Sequence, residues 1–201
     1  MECAADRTAG RRTIAEGRRV TLDVVHRRLS RTPRQVEESP VIRWAAVAVV
    51  IAPSPDALLV VRRAERLGDP WSGQMALPGG RREEGEDLLF TALRETEEEV
   101  GLIVPPESLL GVLDDVAPLT PILPPIAVRP FVFRIDTRPV LRPNHEVAEA
   151  QWVPLGTLLH PETYAPVDVE VQGGIRRVAA YRLAEGTVWG MTERILSDLL
   201  K

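Results

Sequence analysis

The sequence predicts an α+β fold in which a mixed β-sheet lies between α-helices, and three observations predict it. Short apolar runs of strand length outnumber the stretches with helical periodicity. Two stretches, residues 87–100 and 187–201, carry apolar residues at helical spacing. The strand-like runs fall before and after the first of these helices, without the regular strand–helix alternation of a parallel doubly wound sheet.

The domain organisation follows from a change in composition near residue 40. The chain has 201 residues, of which 44% are hydrophobic, and this suffices for one folded domain with an extra segment. Residues 1–40 are rich in arginine and poor in large apolar residues, so we predict an arm there, with a short helix at Thr21–Leu29. The arm either packs on the domain or contacts nucleic acid or a partner. Residues 41–201 form the predicted domain.

The elements of the domain are predicted from periodicity and turn residues. Arg43–Ala52 is typical of a buried strand, and the turn Pro-Ser-Pro-Asp joins it to a hairpin partner at Ala57–Arg63. A long loop leads to a short strand at residues 75–78, a glycine-rich turn and a helix at Asp87–Val100, which Gly101 ends. The remaining strands are expected at Leu109–Val116, Ile126–Ile135, Val147–Val153 and Arg177–Leu183. A closing helix is expected at Thr187–Lys201.

Composition excludes several classes of protein. A net charge of −4 and an isoelectric point near 5.5 argue against general nucleic-acid binding, which needs a basic face. Cys3 is the only cysteine, which excludes an internal disulfide and a zinc site built from cysteines. The longest apolar run, Trp44–Ala52, is too short to cross a bilayer, and the first 40 residues lack the apolar core of a signal peptide. We therefore expect a cytoplasmic protein that does not bind membranes.

The helix at residues 87–100 concentrates negative charge at its C-terminal end. At about 100° per residue, Glu95, Glu98 and Glu99 share one face, while Glu97 points elsewhere. Like charges at these spacings repel, and the C-terminal end of a helix disfavours anions. One interpretation is a solvated acidic face. The other is that a divalent cation, which prefers oxygen ligands, supplies the missing positive charge.

The residues around these glutamates carry a resemblance to a known family. From Gly80 the chain has five residues, Glu86, seven residues, and then Arg-Glu-Thr-Glu-Glu-Glu-Val-Gly-Leu from Arg94 to Leu102. This resembles the Nudix hydrolase signature, G-x5-E-x7-R-E-U-x-E-E-x-G-U, with Thr96 the one soft match at an aliphatic position. The resemblance implies a Nudix fold and hydrolysis, dependent on Mg²⁺ or Mn²⁺, of a nucleoside diphosphate linked to another group.

The resemblance also implies roles for individual residues. Glu95, Glu98, Glu99 and the backbone carbonyl of Gly79 correspond to metal ligands, and Arg94 with Glu86 corresponds to the pair that orients them. Cations held by the glutamates would neutralise the diphosphate, activate water and stabilise the leaving phosphate.

A further glutamate outside the signature often serves such sites as a ligand or base. Glu146 and Glu149 are the candidates here, and we prefer Glu146, six residues before Trp152, because that stretch resembles the loop where the family often places the acid. A solvated turn is the alternative for this segment.

The loop before the signature bears on the substrate. Leu58–Gly80 resembles the segment that marks the coenzyme A pyrophosphatases of this family, although Val60 stands where that segment has threonine. The resemblance implies that coenzyme A or its thioesters are cleaved to 3′,5′-ADP and phosphopantetheine. The residues predicted to bind substrate are Arg62, Arg63, Arg66, Gly79 and Gly80.

Several alternatives are left open at this stage. Trp71 either stacks on a ring or covers the edge of the core. Two roles are open for three apolar residues, Leu119, Ile122 and Leu123: they form an apolar wall for a pantetheine arm, or they simply pack in the core or a loop. The substrate is a small-molecule nucleotide, either coenzyme A or a different conjugate such as ADP-ribose, and a Nudix-fold binding module without turnover is the remaining alternative. The sequence does not decide whether the chain forms a homodimer.

Overall fold

A computed structural model of the chain describes residues 22–37, 42–69, 71–119, 125–171 and 174–201. Residues 1–21 and 38–41, which include most of the predicted arm, lie outside the described residues, as do Ile122 and Leu123. The elements in chain order are α1 (residues 22–29), β1 (Arg43–Ala52), β2 (Ala57–Arg63), β3 (Met75–Ala76), β4 (Gly79–Arg81), α2 (Leu88–Val100), a 3₁₀ turn (Pro106–Ser108), β5 (Leu109–Val112), β6 (Ile126–Arg134), β7 (Val147–Pro154), α3 (Leu155–Leu159), β8 (Tyr164–Val171), β9 (Gly174–Leu183), β10 (Gly186–Trp189) and α4 (Gly190–Leu200).

The described strands form a mixed main sheet and a smaller second sheet. In the main sheet the order is β3-β2-β1-β6-β5, with β4 added on β1 and β7 added on β2. β1 pairs with β6 in parallel, whereas its pairings with β2 and β4 are antiparallel. The second sheet is antiparallel and has the order β10-β9-β8.

Both faces of the main sheet are buried, because alternate residues of β1 and β2 point to opposite sides. Val49 and Ile51 pack with α4 residues such as Leu196 on one face. Ala48 and Val50 pack on the other face, together with apolar residues of α2. The sheet therefore lies between helices, and the predicted α+β sandwich is confirmed.

Helix α1 packs on the domain through one apolar and one charged residue. Val25 is fully buried in the core beside α4. Arg28 is buried as well, and its guanidinium donates to Asp198 (2.5 and 2.7 Å) and Asp114 (2.8 Å). Within the described residues, this part of the predicted arm is tied to both the middle and the C-terminal end of the domain.

The closing helix was predicted too long at its start. Residues 187–189 belong to strand β10, and α4 begins only at Gly190. Val188 and Trp189 match helical spacing, but Trp189 is extended and Gly190 has a φ of 69°, so the backbone turns sharply between strand and helix. The sequence prediction also missed three strands and one short helix, namely β4, β8, β10 and α3. Among the described residues, no helix is long and apolar enough to cross a membrane.

Candidate functional site

Helix α2 and strand β4 bring the glutamates and the two glycines together. The helix is bounded as the sequence predicts, with Asp87 accepting a hydrogen bond from the Leu89 N–H (2.8 Å) and Gly101 at its C-terminal end. Its buried stripe faces the sheet, and Glu99 is part of it. Because β4 pairs with β1 beneath the end of the helix, Glu95 and Glu99 lie over Gly79 and Gly80.

The two glycines allow an approach that other residues would block. The backbone N–H of Gly79 donates to the Glu99 carboxylate (3.0 Å). A Cβ atom at Gly79 would collide with the backbone of β1, and one at Gly80 would collide with the Glu95 carboxylate. Glycine at position 79, where φ is 150°, therefore allows β4 to pack closely on β1, and the absence of a side chain at Gly80 leaves room for the Glu95 carboxylate.

The carboxyl groups of Glu95 and Glu99 both have raised pKa values, as expected where neighbouring acids have too few cations nearby. The pKa of Glu99 is raised to about 7, mainly by burial and also by the charges of Glu95 and Glu146, while the N–H of Gly79 and the charge of Arg63 oppose the rise. Burial also raises the pKa of Glu95, opposed by Arg94 and assisted by Glu98 and Glu146. Glu99 is 4% exposed, so water does not screen it well.

Arg94 and Glu86 form a clamp beside this cluster. The Arg94 guanidinium donates twice to Glu86 (2.9 and 3.1 Å), once to Glu95 (3.0 Å) and once to Glu98 (3.1 Å). The hydrogen bonds from Arg94 and the hydroxyl of Thr91 lower the pKa of Glu86 to about 2. Arg94 thus holds the glutamates from one side, as the orienting role predicted for the pair requires.

Glu146 lies close to the cluster, whereas Glu149 does not line the same cavity. The Glu146 charge raises the pKa of both Glu95 and Glu99. Its segment is joined to the end of α2, because the Asn144 N–H donates to the Glu99 carbonyl (2.8 Å) and the Asn144 side chain accepts from the Glu146 N–H (2.7 Å). Sequence reasoning missed Asn144. The asparagine two residues before a candidate acid was the available signal.

The two arginines that end β2 and the arginine in the loop after it each pair with an acid. Arg62 donates to Glu149 (3.0 Å), Arg63 to Asp69 (2.6 Å) and Arg66 to Glu146 (2.9 Å). Sequence reasoning missed Asp69, which also accepts from the Trp71 N–H (2.9 Å) and so shapes the loop.

A cavity of about 640 Å³ opens above the glutamates, and we call it the glutamate cavity. Arg63 and Arg66 line it, while Arg62 lines a second cavity that adjoins it. Its wall contains three glycines and four acids, namely Gly68, Gly79, Gly80, Asp69, Glu95, Glu99 and Glu146.

Comparison with known proteins identifies the family. The model of the NUDIX domain matches residues 42–171, which is more than half of the chain. The chain belongs to the Nudix hydrolase family. Two proteins named Uncharacterized Nudix hydrolase NudL are similar to it. The one from Photorhabdus laumondii is 31% identical over 163 residues (78% of this chain and 83% of the relative), and the one from Yersinia pestis strain Pestoides F is 34% identical over 160 residues (78% of each).

A solved structure supports the Nudix fold. The crystal structure of a MutT/nudix family protein from Enterococcus faecalis has a TM-score of 0.59 and 15% identity, and the match covers 98% of this chain and 74% of that one. As a Nudix hydrolase, the protein cleaves phosphoric anhydride bonds in nucleotide derivatives. Enzymes of this family use a divalent metal ion.

The donor set of this Nudix site fits such an ion. Glu95 and Glu99 carry raised pKa values, the sign expected where carboxylates lack a cation, and hard divalent ions take oxygen ligands. As the side chains stand, no group of three acids in the described residues is close enough to enclose a metal. In this arrangement Arg94 donates hydrogen bonds to both Glu95 and Glu98. The ligand roles of Glu95, Glu98, Glu99 and Gly79 stay predictions.

Replacing Glu86 with glutamine is expected to destabilise this Nudix domain. Because the folded-state pKa is lowered from 4.5 to about 2, the carboxylate stabilises the fold above pH 4.5, and that contribution is lost as the pH falls towards 2. Full conversion of the shift gives about 3 kcal/mol, which solvent screening in this surface turn reduces to about 1–2 kcal/mol. Denaturant unfolding at pH 7 and pH 3 measures it.

The control for this prediction is Glu84→Gln, a change at an exposed position of the same turn. The control is expected to leave the free energy of unfolding within about 0.5 kcal/mol of the wild-type value. A wild-type stability for Glu86→Gln at pH 7, or a deficit that is the same at both pH values, would contradict the assignment of the stabilisation to this ionised carboxylate.

Proposed function

We propose that the substrate is coenzyme A or one of its thioesters, cleaved at its diphosphate to give 3′,5′-ADP and phosphopantetheine. The observation that carries the proposal is the pairing of two cavities. The glutamate cavity shares six residues with the second cavity of about 1080 Å³, namely Asp69, Trp71, Gln74, Met75, Trp189 and Met191. A substrate with a charged diphosphate and a long arm has room for both parts.

The walls of the second cavity suit a mostly apolar arm. It lies between the loop that carries Trp71 and the second sheet, so that valines of two neighbouring strands face it. Its apolar lining includes Leu119, Val169, Val171, Val178 and Met191. Leu119, for which the sequence leaves an apolar wall and plain packing as alternatives, is among these residues. Apolar walls with a few polar groups are the usual lining of small-molecule sites.

The loop arginines support recognition of an additional phosphate. Guanidinium groups bind phosphate with two parallel hydrogen bonds. The Nε atoms of Arg62 and Arg63 are buried and have no hydrogen-bond partner among the described residues. Arg62 lines the second cavity and Arg63 the glutamate cavity, so each is a candidate to bind a phosphate in its own cavity. The 3′-phosphate of coenzyme A is the phosphate that distinguishes it from ADP-ribose.

In the proposed reaction each residue has a defined task. Glu95, Glu98, Glu99 and the carbonyl of Gly79 would hold the metal ion, Mg²⁺ or Mn²⁺, which would supply positive charge to neutralise the diphosphate and activate water. Arg94 keeps the carboxylates in orientation, with Glu86 fixing Arg94. Glu146 accepts a proton from the attacking water, and the N–H of Gly79 keeps Glu99 directed at the site. A cytoplasmic location stays a prediction, and homodimer formation stays open.

A substrate panel tests the proposed function. We expect coenzyme A and acetyl-coenzyme A to be cleaved in Mg²⁺ faster than ADP-ribose, NADH and diadenosine polyphosphates. Each compound is assayed also in Mn²⁺ and in chelator. Faster cleavage of ADP-ribose than of coenzyme A would replace the substrate but keep the enzyme class. Absence of turnover on the whole panel would favour the binding module.

The additional phosphate gives a sharper prediction. Coenzyme A is expected to have a kcat/KM about ten- to a hundredfold higher than dephospho-coenzyme A, because a charge-assisted phosphate contact contributes about 1.5–3 kcal/mol. Arg62→Gln and Arg63→Gln are each expected to reduce this ratio while cleavage of dephospho-coenzyme A continues. The ratio of the two specificity constants is the measurement. Equal specificity constants for the two substrates in the wild-type protein would overturn the assignment.

A further inference from the structure

Two ion pairs of similar length and exposure join β2 and the loop after it to β7 and the segment before it. Arg62 pairs with Glu149 at 3.0 Å, and Arg66 pairs with Glu146 at 2.9 Å. The side chains of the first pair are 42% and 43% exposed, and those of the second are both 41% exposed. From side-chain exposure and N–O distance alone, the two ion pairs are expected to stabilise the fold equally.

Their surroundings differ. Arg66 and Glu146 both line the glutamate cavity, whereas Glu149 lines neither cavity in the described part of the chain. The charge of Glu146 also reaches Glu95 and Glu99. The guanidinium of Arg66 is therefore beside the place where the anionic part of a substrate must lie.

The backbone on both sides of the Arg66–Glu146 pair is fixed. The N–H of Ala64 donates to the Glu146 carbonyl (2.8 Å), and the N–H of Arg66 donates to the hydroxyl of Ser72 (2.9 Å). The N–H of Glu146 is held by Asn144 (2.7 Å). Because the main chain is anchored, the pair opens by rotation of side chains and needs no movement of the loop.

We propose that Arg66 exchanges partners when substrate binds: it pairs with Glu146 in the free enzyme and passes to a substrate phosphate, which releases the Glu146 carboxylate for proton transfer. The diphosphate of a substrate carries two negative charges, against one for a carboxylate, and its oxygens accept the guanidinium with two hydrogen bonds. The hydrogen bond from Arg66 occupies an oxygen of the Glu146 carboxylate (2.9 Å). Arg66 is thus a positioning residue whose contact with Glu146 keeps that oxygen engaged until the site is filled.

The proton transfer balances with the ordinary hydrolysis. Glu146 takes one proton from water, the water oxygen forms the new bond to phosphorus, and the anhydride bond to the leaving phosphate breaks. This inference rests on the role proposed above for Glu146, although not on the identity of the group joined to the diphosphate.

A double-mutant cycle on binding tests the exchange. The probe is α,β-methylene-ADP, whose bridging carbon prevents hydrolysis, and calorimetry in Mg²⁺ gives its Kd for the wild type, Arg66→Gln, Glu146→Gln and the double variant. Glu146→Gln removes a negative charge and so favours binding of the anionic probe whether or not Arg66 is present. The informative quantity is therefore the difference between the change in Kd measured with Arg66 and the change measured with Arg66→Gln. We expect Glu146→Gln to tighten binding about two- to fivefold more when Arg66 is present, the effect of not having to break an exposed ion pair.

The matched pair provides the control. The same cycle at Arg62 and Glu149 is expected to show no coupling, and Arg66→Lys is expected to keep most of the coupling because it keeps the charge. Equal effects of Glu146→Gln in the two backgrounds would refute the exchange, as would equal coupling in both cycles. Failure of the proposed function is seen separately, in turnover: unchanged kcat for Glu146→Gln would refute the release of a base even if binding is coupled.

Discussion

Glu99→Gln is expected to lower kcat by at least about a hundredfold while leaving the fold intact. Glu99 is the most buried of the clustered acids, and its charge is directed at the site by the N–H of Gly79. Glutamine keeps an oxygen that accepts this hydrogen bond but removes the charge that a divalent cation needs. Loss of one preorganised electrostatic group commonly costs a hundred- to a thousandfold in rate. Steady-state turnover in Mg²⁺ is the measurement.

Glu98→Gln is expected to have an effect of the same kind, and Glu97→Gln is the internal control. Glu97 is exposed on the same helix and is outside the glutamate cavity, so its replacement is expected to change kcat by less than about twofold. Thermal unfolding in chelator checks the fold of Glu99→Gln, which is expected to be at least as stable as the wild type because a buried like charge has been removed. Wild-type turnover by Glu99→Gln or Glu98→Gln would refute the predicted metal site.

The sequence predicted the core of the fold because that part rests on strong local patterns. β1 and β2 are continuous apolar runs with a turn between them, and the charges and glycine at the ends of α2 define that helix. The second sheet was largely missed for a different reason. Its strand β8 alternates exposed and half-buried residues and contains a proline, so pairing with β9 stabilises it more than burial does. Such pairing is a tertiary property that the local sequence does not reveal.

The same contrast applies to the site. The signature predicted the glutamates, the glycines and the Arg94–Glu86 clamp, because all of them lie within one short stretch of chain. It did not predict that Arg66 contacts Glu146, 80 residues away, nor that Asn144 joins the Glu146 segment to α2. These contacts arise because β2 and β7 are neighbours in the sheet although they are distant in the sequence. Long-range pairing, and not motif spacing, sets the surroundings of the candidate base.

Glu146→Gln is expected to lower kcat by about a hundred- to ten-thousandfold, the range for loss of a general base, with KM unchanged or lower. The glutamine has nearly the same shape but cannot take a proton from water. Glu149→Gln is the matched control, since Glu149 has the same exposure and also pairs with an arginine, and its kcat is expected to stay within about threefold of wild type. Parallel measurement of kcat and KM for both variants decides between the two acids. A larger loss for Glu149→Gln would move the role to that residue, and unchanged turnover in both would place the base elsewhere among the acids of the glutamate cavity.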